Sequence, residues 1–310
     1  MRVCAIDIGT NSVRTIVADV EAPSRVRVLH YDGLITRLGE GFGASRTLRP
    51  DAITRTVDTV SSFTQDGREL GATAFKLVAT SAARDADNGR EFLDAVRNAT
   101  GHAPEIVTGE REGELVLAGV MTGGLMGDVP TLVVDVGGGS TELIACAPGK
   151  PPAFRSVGVG AVRLTEQFLT SDPPTEDEVD AAGRRAAEQF EAAIRDIDAR
   201  DLIGLGGTVT TMATMLLDLE EYDAAKVHGY HLTLDDAESL LLPLAALPLD
   251  ERKTLPGLSP RRADIIIGGV LIVRTVLELT GCEAMCVSSA GILHGIALAA
   301  ASEGASPTPA

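Results

Sequence analysis

Two short tracts of the sequence have residue types suited to holding phosphate. Asp7-Ile8-Gly9-Thr10-Asn11-Ser12 and Asp135-Val136-Gly137-Gly138-Gly139-Ser140 each place an aspartate at the end of an apolar run, with a glycine-bearing polar turn after it. A phosphate in a cleft needs several N–H donors close to its oxygens, and glycine lets the backbone approach where a side chain would block it. One such turn is an ordinary tight connection between strands. Two of them, followed in the second half by Gly206-Gly207-Thr208, make a more specific constellation, able to clamp a phosphate chain between facing loops. Setting Asp7 on Asp135 brings Gly9 onto Gly137 and Ser12 onto Ser140 without a gap, so the chain carries an internal duplication. The same superposition sets Arg14 against Glu142, so the two turns are equivalent but not chemically identical.

The elements that must position these turns alternate between strand and helix. The runs Val3 to Ile8 and Val13 to Val20 read as a hairpin, and Leu132 to Val134 with Leu143-Ile144 repeats the design. Ile53, Val57, Val60 and Phe63 mark one helical face, and Phe75 to Ala79 a short buried strand. Phe92, Val96 and Ala99 mark another helical face, which opens at Asn88 with Glu91 three residues on and ends before Gly101. Thr175-Glu176-Asp177-Glu178 is a capping-box pattern opening a helix that carries Val179, Ala182, Ala186, Phe190 and Ile194 on one side. Leu202 to Leu205 reads as a strand, and Ser259-Pro260 as the start of a long helix through Ile265 to Leu279. Ala284 to Val287 then reads as a strand feeding a last helix. This order predicts an α/β protein in two similar lobes, 1–125 and 126–301, followed by a frayed tail at 302–310.

Composition narrows the function. Within 310 residues no apolar stretch approaches the roughly 20 residues that a bilayer span requires. The amino end reaches Asp7 before any signal-like apolar region forms, so a cytoplasmic protein is expected. The four cysteines form no Cys-x-x-Cys pair and read as reduced, buried thiols. Acids outnumber bases 44 to 27, a net charge of −17 that opposes binding to duplex nucleic acid or an anionic membrane. The same balance favours a metal requirement for any anionic substrate. His228 and His231 read as a structural loop, not a metal site, for want of nearby ligands. There is no Gly-x-Ser-x-Gly elbow and no Gly-x-x-x-x-Gly-Lys-Ser/Thr loop.

The tracts Asp7 to Ser12, Asp135 to Glu142 and Gly204-Leu205-Gly206-Gly207-Thr208 resemble the phosphate and nucleotide loops of the actin-like, sugar kinase and Hsp70 ATPase fold. Within that fold the chain is most similar to the Ppx/GppA phosphatases, the exopolyphosphatases and guanosine pentaphosphate phosphohydrolases. Ala79-Thr80-Ser81-Ala82-Ala83-Arg84 with Asn88, Gly109-Glu110-Arg111-Glu112-Gly113, Ser156-Val157-Gly158 with Arg163, and Arg262-Ala263-Asp264 carry the resemblance further, in family order. At Ile292-Leu293-His294-Gly295 the chain departs from the family's usual Leu-Arg-Glu-Gly. The fold implied is two actin-like (ribonuclease H-like) lobes with a phosphate-binding cleft between them.

The resemblance makes Glu112 the general base that orients and deprotonates the attacking water. Its neighbours Glu110 and Glu114 share its place near a helix start, where acids ordinarily complement the helix dipole. Asp135 and Glu142 bracket the second turn, and two carboxylates facing a phosphate call for a hard cation, Mg²⁺ with Mn²⁺ as the alternative. Asp7 is the weaker third candidate for that ion, or a brace for its own turn. Arg84 is expected to grip phosphate oxygens. Gly9, Thr10, Asn11, Ser12, Gly137, Gly138, Gly139, Ser140 and Thr141 are the expected phosphate-binding loops, with Gly206, Gly207 and Thr208 a further substrate loop. The implied activity is hydrolysis of the terminal phosphoanhydride of inorganic polyphosphate, with guanosine pentaphosphate (pppGpp) as a related substrate. A kinase or ATPase of the same fold and an idle polyphosphate or alarmone sensor are the alternatives. A homodimer is open. The family's larger members add a helical carboxy-terminal region, and no Lys or Arg follows Arg274 here, so a polymer is expected to be gripped mainly at its terminus.

Overall fold

The apolar run after Met1 forms a central strand, β1 (Arg2–Ile8), buried along nearly its whole length because both of its faces are covered. It turns through Gly9 to Asn11 into β2 (Ser12–Glu21), and β3 (Arg25–Ile35) continues the antiparallel meander. In the computed structural model, residues 1–21 and 25–305 are described. A short helix, α1 (Phe42–Ser45), precedes α2 (Pro50–Glu69), which buries Val60 and Phe63 with Ile53 and Val57 at the margin of the core. Next come β4 (Ala74–Ala79), parallel to β1, then α3 (Ser81–Asp85), α4 (Gly89–Thr100), β5 (Glu105–Ile106) and α5 (Gly109–Thr122). The sheet runs β3-β2-β1-β4-β5.

The second half repeats the plan. Strands β6 (Thr131–Val136), β7 (Thr141–Cys146) and β8 (Ala153–Val157) form an antiparallel meander. Helices α6 (Ala161–Phe168) and α7 (Glu176–Ile194) lead to β9 (Asp201–Leu205), parallel to β6, and to α8 (Gly207–Leu216). The remainder is α9 (Ala224–Val227), β10 (His231–Thr233), α10 (Leu234–Ala246), α11 (Leu249–Arg252), α12 (Ile266–Thr280) and β11 (Ala284–Val287). This sheet runs β8-β7-β6-β9-β11-β10. In each sheet three meandering strands come first and a parallel strand then joins beside the opening strand, the duplication seen in the two turns.

The chain divides into two units, Met1–Gly124 with Ala290–Ala310, and Leu125–Ser289. The last helix, α13 (Ile292–Ala305), therefore belongs to the first unit and not to the lobe 126–301 predicted to hold it. Its glycines explain the attachment. A Cβ on Gly295 would meet the Leu115 backbone, and one on Gly119 the Gly291 backbone, so α13 and α5 pack main chain against main chain. Helix α13 also runs through Ala305 where a tail from 302 was expected, and residues 306–310 lie outside the described residues.

Two local readings also change. The helix expected from Ser259 starts at Ile266, after a run of turns through the Arg262 segment. Asn88 precedes α4 as predicted, but its side chain makes no cap there. Instead it accepts from Leu48 N at 2.9 Å and donates to Leu48 O at 3.0 Å, tying α4 to the segment ahead of α2. At α7 the capping box forms as the sequence predicts.

Candidate active site

In the first unit the turn after β1 is closed by Gly9 N donating to Ser12 O at 3.0 Å. Its carbonyls are spent on the segment that follows β3: Asn11 O accepts from Thr36 N and Arg37 N, and Thr10 O from Gly39 N. The loop is thus braced by the backbone of the segment that follows β3. Asp7 lies on β1 opposite Arg14 on β2, and its buried Oδ2 accepts both Nη2 at 2.6 Å and Nε at 3.2 Å of that arginine. The Asp7 charge is balanced within its own sheet, which is the geometry of a brace.

Helix α5 begins at Thr108, whose hydroxyl accepts from Arg111 N at 3.1 Å. Of the three glutamates at this start, Glu110 and Glu114 are exposed, and Glu114 is paired with Arg111 at 2.6 Å. Glu112 alone is buried, at 8% exposure, and its Oε2 receives Arg84 Nη1 at 3.1 Å. Arg84 is fixed in turn: it lies in the last turn of the short helix after β4, and the same Nη1 donates to Val107 O at 3.0 Å. One residue beyond the edge pairing, Val107 N donates to Ala79 O, so β4, β5 and the α5 start converge. A buried carboxylate aligned by a guanidinium is what an oriented base requires.

In the second unit Asp135 and Glu142 are register partners across β6 and β7, at 8% and 2% exposure. Like charges opposite each other on a ladder repel. Ser156 on β8 donates to Glu142 Oε1 at 2.8 Å and offsets part of this. The pair occupies the positions that Asp7 and Arg14 hold in the first unit, so the duplication has exchanged an internal cation for a second acid. Among the described residues no group of three His, Cys, Asp or Glu side chains is placed to hold a metal. Two carboxylates with water and phosphate oxygens are nonetheless the usual protein share of a Mg²⁺ site, so the residues present fit that ion.

The turn Gly137 to Gly139 is packed onto the start of α6. Gly137 O accepts from Ala161 N, and Gly138 O from Val162 N and Arg163 N. A Cβ on Gly160 would lie 2.5 Å from Gly138 O, so glycine is required for this approach. Gly206 adopts φ +94° at the end of β9, where a Cβ would lie 2.7 Å from Asp135 Oδ1. The third glycine loop thus runs directly over the Asp135 carboxylate. A Cβ on Gly207 would fall within the Arg262 guanidinium. In the sequence Arg262 is legible only as part of Arg262-Ala263-Asp264, and the bare backbone of Gly207 is the one signal of its place.

Among the sequence-predicted residues, the first unit brings together Arg84 with Glu112, and the second Asp135, Glu142, Gly206 and Gly207. His228 and His231 play no part in either group: His231 pairs with Cys286 at a sheet edge, and His228 Nδ1 lies 3.2 Å from Ser289 N.

A model of the Ppx/GppA phosphatase family matches residues 15–303. The chain belongs to that family. Exopolyphosphatase 2 of Mycobacterium tuberculosis is 37% identical over 97% of this chain and 98% of its own. The crystal structure of the Aquifex aeolicus member of the Ppx/GppA family covers 99% of both chains at 32% identity, with a TM-score of 0.80. A guanosine-5'-triphosphate,3'-diphosphate pyrophosphatase of Aeromonas hydrophila is 25% identical over 94% of this chain and 58% of its own. As a Ppx/GppA protein the chain is a phosphoanhydride hydrolase with the α/β fold of the family's solved member. No helix among the described residues is long and apolar enough to cross a membrane.

Proposed function

We propose that this protein is an exopolyphosphatase that removes the terminal phosphate of inorganic polyphosphate, with pppGpp as a second substrate. The observation that carries the reading is the burial of Glu112, alone among three neighbouring glutamates, against Arg84. In this role Glu112 Oε2 takes the proton of the attacking water, and the α5 start keeps the carboxylate aimed. Arg84, already beside it, has further N–H donors for phosphate oxygens, so the base and the phosphoryl group are brought together by one guanidinium. The glycine loops supply backbone N–H groups and the room for close approach. The relatives named as exopolyphosphatase and as guanosine pentaphosphate pyrophosphatase support both substrates as candidates.

Asp135 and Glu142 are the residues that would hold Mg²⁺, or Mn²⁺, with Asp7 kept as a brace. Such an ion supplies charge neutralisation for a polyanion approaching a protein of net charge −17. The test is phosphate release from short polyphosphate, long polyphosphate, pppGpp and ATP, side by side, with and without chelator. The reading expects release from polyphosphate or pppGpp, lost with chelator and restored by Mg²⁺. Release from ATP alone would replace it with an ATPase, and tight binding without release would replace it with a sensor.

A further inference from the structure

Arg252 is one of the most deeply buried charged groups in the chain, at 4% exposure, and neither the motifs nor the activity accounts for it. It closes the four-residue helix α11, and its guanidinium reaches in two directions. Nη1 donates to Ala263 O at 3.1 Å, and Nη2 to Asp172 Oδ1 at 3.1 Å. Its Nε is buried without a hydrogen-bond partner among the described residues. Taking a guanidinium out of water is costly, and a packed apolar side chain at such a place is often as stable or more so. Stability alone is a poor reason to keep an arginine here.

Its two partners give a better reason. Ala263 is the middle of Arg262-Ala263-Asp264, the run of turns ahead of α12, and the neighbouring Arg262 places its guanidinium against Gly207 at the start of α8. Asp172 is an anchor fixed from the other side. Its Oδ1 also accepts Leu249 N at 2.8 Å, the first residue of α11. The segment around it is pinned by Glu178, whose carboxylate accepts from Thr170 N, Ser171 N and Thr175 N as well as from the hydroxyls of Thr170 and Ser171. These bonds hold the Glu178 carboxyl down at about 2, so Glu178 itself stays ionised throughout the neutral range. The chain of contacts therefore runs from α7, through Asp172 and Arg252, to the carbonyl beside Arg262.

We propose that Arg252 is a positioning residue of the substrate site: it fixes the Ala263 carbonyl and thereby holds the Arg262 guanidinium over Gly207, beside the loop that passes Asp135. It acts through Arg262 and touches no substrate itself. The inference rests on the proposed reading of the glycine loops as the phosphate site, because only there does the placement of Arg262 matter to a polyanion.

The test is a double-mutant cycle of Arg252→Met and Arg262→Met. It is read in KM and kcat on tripolyphosphate and in calorimetric affinity for tripolyphosphate, at a temperature where circular dichroism shows every variant folded. The expected result is that Arg252→Met weakens KM and affinity by about tenfold, the lower end of what losing a group that orients a binding residue costs, and adds nothing further once Arg262 is gone. Arg252→Lys should recover part of the loss. Should Arg252→Met fail to fold, Asp172→Asn serves in its place, with the same dependence on Arg262 expected. Wild-type affinity in a folded Arg252→Met protein, or losses that simply add, would overturn the inference. Absence of hydrolysis by the wild type would instead strike at the proposed activity, and the calorimetric cycle would still decide the role of Arg252.

Discussion

Glu112 shows how far residue type and spacing reach. Glu110, Glu112 and Glu114 are two apart along one helix start, and nothing in their spacing separates a catalytic carboxylate from one that only answers the helix dipole. The separation comes from burial and from Arg84, 28 positions upstream in sequence and 3.1 Å away in space. A surface pair such as Glu114 with Arg111 contributes about 0.5 kcal/mol or less. Glu110→Gln and Glu114→Gln should accordingly leave kcat/KM on polyphosphate within about twofold of wild type; a loss in either as large as that of Glu112→Gln in a side-by-side assay would mean the base has been misassigned. Asp7 makes the complementary point. Its alignment with Asp135 was legible, but its pairing with Arg14 turns on a substitution seven residues away that only the strand register brings opposite.

At the scale of elements, both hairpins, their turns and the capping box at Thr175 were legible, because periodicity and turn chemistry are local. The glycine at 206 was legible as part of a loop, but its reason was not: φ +94° and the nearness of Asp135 Oδ1 are products of the packed structure. Gly206→Ala should therefore cost about 1–3 kcal/mol from the positive-φ, extended backbone (ψ 167°) alone, more from displacing the Asp135 carboxylate. The check is a urea melt together with the Mg²⁺ concentration needed for half-maximal activity, which should rise. Unchanged values for both would remove the loop from the site. The α7 start yields a pH prediction. Glu178 titrates at about 2 in the fold against an ordinary 4.5, lowered by its bonds from Thr170, Thr175 and Ser171. A depressed carboxyl pKa contributes stability that is fully present above pH 4.5 and is lost as pH falls towards 2. Glu178→Gln should melt below wild type at pH 7, with the gap in Tm narrowing steadily between pH 4.5 and pH 2; a gap that does not depend on pH would refute the linkage.

The whole molecule departs most from a linear reading at its last helix. Two lobes in sequence order were expected, yet α13 returns to the first unit after the second is complete. Periodicity could not reveal this, because an apolar helix does not announce which sheet it will cover. Only the matched bare backbones at Gly119 with Gly291 and Gly295 with Leu115 do so. Gly295→Val should therefore destabilise the first unit by forcing α13 off α5, lowering Tm by several degrees, although residue 295 lies far beyond that unit in sequence. A Tm equal to wild type would show that the helix is not seated as described. The net charge of −17 also belongs to this scale, since the protein as a whole repels the polyanion that its site is proposed to bind. In the proposed function what overcomes that repulsion is local: Arg84, the glycine loops and a cation that Asp135 and Glu142 would hold. The central claim is that these groups serve a hydrolysis in which Glu112 activates water. It is tested most directly by phosphate release from short polyphosphate under saturating Mg²⁺, comparing wild type with Glu112→Gln while measuring tripolyphosphate affinity on the same preparations. Affinity should be retained and turnover lowered by about a hundredfold or more, the usual scale for a positioned acid or base. Near-normal turnover in Glu112→Gln would contradict it.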